Sequence, residues 1–156
     1  MQKKEIENLI RELIEKINIK VSKIDVVEEK NGNLMYAVEI SEPHHFIARE
    51  GEALYALNHV VRRIVEKNIP PTSPQSPFLI DINDFQKKKI DAVQAVAHMM
   101  SERARYFKSS VEVDPMSSFE RRIVHEFLAD ATDLKTESVG MGSGRRVVIK
   151  YVGTSV

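Results

Sequence analysis

The chain has 156 residues, 42% hydrophobic and 29% charged, which suits one ordinary core or two small ones and argues against a disordered tail. Its 23 Lys and Arg balance 23 Asp and Glu, so strong non-specific adhesion to nucleic acid is disfavoured and any basic surface has to be local. The absence of cysteine removes disulfides, thiolate nucleophiles and cysteine-type zinc sites, and fits a reducing compartment.

No apolar run approaches the length of a membrane span, so no membrane insertion is expected. The amino terminus, with Lys3, Lys4, Glu5 and Glu7, lacks the hydrophobic centre of a signal peptide, and a cytoplasmic location is the expectation. In chain order, Ile6, Leu9, Ile10, Leu13, Ile14 and Ile17 fall at three-and-four spacing, which predicts an amphipathic helix over 3–17. A β-branched run from Ile19 to Glu29, then Asn31-Gly32, then alternating Leu34, Tyr36, Val38 and Ile40 predict a β-hairpin. Pro43–Ile47 suits one short helical turn before Ala48-Arg49-Glu50-Gly51. From there Ala53, Leu54, Leu57, Val60, Val61, Ile64 and Val65 trace a longer helix, ended by Asn68 because Pro70 and Pro71 cannot continue it.

Pro70–Pro77 reads as a solvated connector and Phe78–Ile82 as a short strand. A long helix is predicted to start near Asn83 or Asp84, with Ile90, Val93, Ala97, Met100, Ala104 and Phe107 as its core stripe. Val111–Val113 predicts a short strand. Two β-like runs, 135–139 and 145–152, close the chain around a glycine-rich turn at 140–144.

Between those strands, Ser117 with Glu120 three residues on is a capping box that starts a helix at Ser117. Phe119, Ile123, Val124, Phe127 and Leu128 gather on its buried side. Arg121 and His125, four apart, are neighbours on the rim of that face, where a fixed cation beside an imidazole suits a phosphate oxygen. The plainer alternative is that the Arg121 stem covers the core edge while His125 packs.

Lys87, Lys88 and Lys89 occupy the first turn of the long helix, where the helix dipole favours negative charge. Either Asp81, Asp84 and Asp91 offset them or an anionic ligand does. Ala48-Arg49-Glu50-Gly51 precedes a helix, so its backbone N–H groups suit an anion, or it is simply a tight turn. Arg145 and Arg146 open the last strand, and alternation lets at most one of them share a face with Arg121 and His125. His44, His45, His59, His98 and His125 show no metal-ligand spacing, and no catalytic constellation surrounds Ser117 or Ser118.

The element order of residues 3–82, with Ala48-Arg49-Glu50-Gly51 between two helices, resembles a type-two KH domain. Residues 83–152, through Pro115–His125 and Arg145–Ile149, resemble the R-three-H domain, named for its Arg-x-x-x-His. Together, in this order, they are similar to the Jag, or SpoIIIJ-associated, family of bacterial RNA-binding proteins. The resemblance implies an α+β fold: a KH domain over 1–82, three strands with helices on one face, then a small α/β R-three-H domain over 83–156.

It further implies a non-enzymatic, cofactor-free binder of single-stranded RNA, or of single-stranded DNA in its place, in RNA-level regulation linked to cell envelope growth and division. A second KH-domain protein is a further partner it implies, and the alternative is a protein-interaction scaffold with weakened RNA binding. Arg121 would grip phosphate and His125 contact phosphate or stack a base, with Arg122, Arg145 and Arg146 beside them. Lys87 and Lys88 would add positive charge. The KH loop would be Ala48, Arg49, Glu50 and Gly51, where Ala48 replaces the first glycine of Gly-x-x-Gly and Glu50 stands in place of a basic residue. The family's separate amino-terminal domain is expected to be missing from this chain.

Overall fold

The computed structural model describes residues 2–30, 32–70 and 77–153. It divides into two compact units, Met1–Lys87 and Lys88–Val156. The first therefore takes in residues 83–87, which the sequence expectation groups with the second.

In the first unit the helix α1 (Lys3–Lys16) is followed by strands β1 (Val21–Glu28) and β2 (Leu34–Ile40), helix α2 (His44–Lys67) and strand β3 (Phe78–Ile82). The strands form one sheet in the order β1-β2-β3, β1 antiparallel and β3 parallel to β2. Period-two alternation buries Leu34, Tyr36, Val38 and Ile40 along the central strand. They share one core with Ile6, Ile10 and Ile14 of α1 and Leu54, Val61 and Val65 of α2. At the hairpin, Gly32 donates to the Glu29 carbonyl at 2.9 Å, and Asn31 lies outside the described residues. So does most of the predicted connector, residues 71–76.

A buried polar scaffold fixes β3. The Asn58 side chain accepts from Ile80 N–H at 2.8 Å and donates to the Ile80 carbonyl at 2.9 Å, tying α2 to the strand. Asn83, at φ 49°, extends the sheet by one rung, accepting from Ile40 N–H and donating to its carbonyl, each at 2.9 Å. Asp84 is also left-handed at φ 60°, so helix α3 (Phe85–Phe107) begins just after the predicted Asn83 or Asp84.

In the second unit, α3 leads to strand β4 (Val111–Glu112), helix α4 (Ser118–Phe127) and strands β5 (Leu134–Val139) and β6 (Arg146–Tyr151). The sheet order is β4-β6-β5, antiparallel throughout. Val93, Ala97 and Ala104 of α3 pack with Ile123 and Val124 of α4 and with Val147 and Ile149 of the central strand. Two expected core positions are instead exposed: Phe107 at 60% and Phe127 at 41%. Each is the last residue of its helix, where spacing alone does not show whether the apolar face is still covered.

Candidate functional site

The start of α4 follows from its cap. Ser117 Oγ accepts from Glu120 N–H at 3.2 Å, and the Glu120 carboxylate accepts from the Ser117 hydroxyl at 2.9 Å rather than from the Ser117 backbone. With Ile123 and Val124 facing the core, Arg121 and His125 fall half-buried at its edge. Arg121 Nη1 donates to the Met116 carbonyl at 2.7 Å, and Met116 N–H in turn donates to the Arg145 carbonyl at 3.3 Å. The segment before the helix thus links Arg121 to the start of β6. Among the described residues Arg121 holds no carboxylate, which leaves donors of its guanidinium available to an anion.

His125 does not point freely outward as expected. Its Nδ1 lies 2.6 Å from Thr136 Oγ1 and its Nε2 2.8 Å from Ser138 Oγ, two hydroxyls on alternate residues of β5. Burial pushes the imidazole below its ordinary 6.5, and the nearby Arg121 guanidinium pushes it the same way. A neutral ring donates from one nitrogen and accepts at the other, so one hydroxyl accepts and the other donates. Charge at this site therefore rests on Arg121, while His125, Thr136 and Ser138 present polar groups beside it. Neither hydroxyl is among the residues that sequence spacing singles out; their period-two placement in the predicted strand is the available signal.

The other candidates divide. Arg145 Nη1 donates to the Gly140 carbonyl at 2.8 Å, and its backbone adjoins the Arg121 support through Met116. Arg146 is committed elsewhere: its Nε and Nη2 bond both Glu112 oxygens, at 3.2 and 3.3 Å. Arg122 is exposed and pairs with Glu126 at 3.0 Å. Neither ion pair leaves its arginine as open as Arg121.

In the first unit, α2 breaks over Ala48–Gly51, separating the short and long helices that the spacing predicts. Ala48 is extended, φ −59° and ψ 153°, a conformation alanine adopts without strain. The left-handed residues are Arg49 (φ 53°), Glu50 (φ 59°) and Gly51 (φ 84°). Only the last suits that region, and a Cβ at Gly51 would stand 2.6 Å from Phe85 Cε1. Arg49 and Glu50 are exposed at the tip, with Arg49 3.8 Å from Glu52.

The anion at the amino end of α3 is built in. Buried Asp81 accepts from the backbone N–H groups of Ile82, Gln86 and Lys87 at 2.8, 2.7 and 2.9 Å. The lysine run thus needs no ligand to explain it, and the exposed Lys87 and Lys88 side chains surround a helix end already neutralised. Among the described residues no group of three or more His, Cys, Asp or Glu is placed to hold a metal ion. No described helix is long and apolar enough to cross a membrane.

Residues 91–151 match the R-three-H domain. Over 127 residues the chain is 24% identical to RNA-binding protein KhpB of Bacillus subtilis (strain 168), covering 80% of this chain and 60% of that protein. It is 26% identical over 103 residues to the protein of the same name from Clostridium symbiosum, covering 66% and 45%. With RNA-binding protein KhpB of Streptococcus pneumoniae serotype 2 (strain D39 / NCTC 7466) it shares 22% over 145 residues, covering 93% and 43%. The chain spans about half the length of the curated relatives it matches. The Arg121–His125 helix lies inside the matched domain, and the similarity to these RNA-binding proteins extends through the preceding unit.

Proposed function

We propose that the chain is a non-enzymatic, cytoplasmic RNA-binding protein that acts on single-stranded RNA in post-transcriptional regulation. The observation that carries this is the edge of α4: a guanidinium that has no carboxylate partner among the described residues, beside an imidazole and two hydroxyls. Such a surface supplies a phosphate with charge from Arg121 and the sugar and base edges with neutral donors and acceptors. The names of the relatives support the same reading.

The helix-strand-strand-helix-helix-strand order of the first unit supports reading it as a type-two KH domain, with Ala48–Gly51 as its backbone-facing loop. Within this proposal Arg145, Lys87 and Lys88 add positive charge, and Arg122 and Arg146 contribute only if their carboxylates release them. A second reading, a protein scaffold with residual RNA affinity, is favoured by Glu50 at the loop tip and by those ion pairs.

The test is titration of a labelled short single-stranded RNA at low salt. Alanine at both Arg121 and His125 should weaken binding by about ten-fold or more without unfolding the chain. An unchanged Kd would remove this edge from the interface, and a wild-type affinity indifferent to salt would favour the scaffold. RNA left intact after incubation with Mg²⁺ is the expected result for a binder without nuclease activity.

A further inference from the structure

The carboxyl end of α3 carries a feature that the proposed interface does not use. Tyr106 is 82% exposed and Phe107 60%, their rings edge-to-face with centroids 5.0 Å apart at 88°. Arg103 precedes them by three and four residues, the spacing of neighbours on a helix surface. Lys108 ends the helix in the left-handed region, φ 50°, with its N–H to the Arg105 carbonyl and Ser109 N–H to the Ala104 carbonyl. Glycine would be the relaxed residue in that position; the chain places a cation there.

A groove of about 470 Å³ opens beside Phe107, lined also by Arg103, Ser109, Ser110, Val111 and Glu112. The nearby acids are already engaged: Glu112 by Arg146, and Glu102 by Arg105 at 2.9 Å. Arg103 and Lys108 form no ion pair among the described residues, so the positive charge around the rings is uncompensated. Exposed aromatic faces next to free cations and hydroxyls match the parts of a nucleotide: a π-face for the base, charge for the phosphate, hydrogen bonds for base and sugar edges.

We propose that this groove is a stacking site for an unpaired base of single-stranded nucleic acid, with Phe107 and Tyr106 as the platform and Arg103 and Lys108 on the flanking phosphates. It rests on the RNA-binding reading but uses none of the residues at the α4 edge. Stacking tolerates any base, so the site adds affinity without sequence preference and holds RNA or DNA alike.

Titration of labelled RNA and DNA decamers, and of an abasic decamer of equal charge, tests it on the full chain. Tyr106→Ala with Phe107→Ala should weaken binding of both base-bearing strands by at least about five-fold and leave the abasic strand unaffected. Lys108→Gly should weaken all three strands while raising the melting temperature, a combination that a folding defect cannot produce. If the wild type binds no strand, the RNA-binding reading falls and this site with it. If the wild type binds and the double aromatic variant matches it, only the stacking site is overturned. Concentration-dependent self-association that the aromatic substitutions abolish would likewise overturn it, in favour of an interface between protein chains.

Discussion

The His125 ring and the Thr136 hydroxyl stand 2.6 Å apart, and the pair joins α4 to β5 through a nitrogen whose proton the environment controls. Burial and then Arg121 lower the His125 pKa in the folded chain. The unfolded chain therefore binds the proton more readily. The associated stability is full above the unfolded value of 6.5 and is lost as pH falls through the lower folded value. Urea unfolding from about pH 7.5 to 5 should show wild-type stability falling along this limb, and His125→Gln should flatten it. Identical profiles for the two proteins would mean that this imidazole carries no proton linkage to folding.

A neutral His125 makes a separable prediction about binding. If the α4 edge meets phosphate, the charge it offers at about pH 7.5 is that of Arg121, so Arg121→Ala should reduce the slope of log affinity against log salt by about 0.7 for a single strand. His125→Ala should lower affinity by about five-fold while leaving that slope unchanged, because it removes hydrogen bonds rather than a cation. Equal slope changes in the two variants would show that the imidazole meets the phosphate in its protonated form.

How far the sequence carries depends on what kind of signal each residue leaves. Apolar periodicity places each of the four α-helices described and the longer strands to within a few residues, and Gly51 marks the break in α2. Spacing shows which face of a helix is apolar but not whether that face is still covered at its end, so it assigns Phe107 to a core that the ring does not enter. Asp81 is legible only as a charge opposite lysines; its capping role depends on the left-handed turn at Asn83 and Asp84, which folds it back onto the helix. The pairing of Arg146 with Glu112 and of His125 with Thr136 and Ser138 joins segments distant in sequence, and only strand register brings them together.

Asp81 is 1% exposed and serves three backbone donors, so its removal leaves buried N–H groups without an acceptor. Asp81→Ala should cost about 2–4 kcal/mol, combining a lost helix cap with unsatisfied buried donors. Asp81→Asn keeps one acceptor oxygen and should cost less. Denaturant midpoints check the order, and a neutral Asp81→Ala would mean that water reaches these donors.

Gly51 meets two demands at once, a φ of 84° and close approach to Phe85. Gly51→Ala should destabilise the chain by about 2 kcal/mol or more, since the methyl group is both strained and overpacked. Combining it with Phe85→Leu should recover the packing part and leave the conformational part. Additive losses in the double variant would show that the ring is not what excludes the methyl group.

Glu50 tests whether the loop of the first unit meets RNA at all. It sits exposed at the tip in a left-handed conformation, φ 59°, so a lysine there meets the same backbone demand and changes only the charge. If phosphate approaches this turn, Glu50→Lys should tighten binding by about two- to five-fold at low salt, the scale of an exposed charge pair. Glu50→Gln should give part of that gain by removing repulsion alone. Both gains should fade at high salt, where exposed charges are screened beyond about 3 Å at 1 M. Matched titrations showing no gain for either variant would place the loop away from the RNA and leave binding to the second unit.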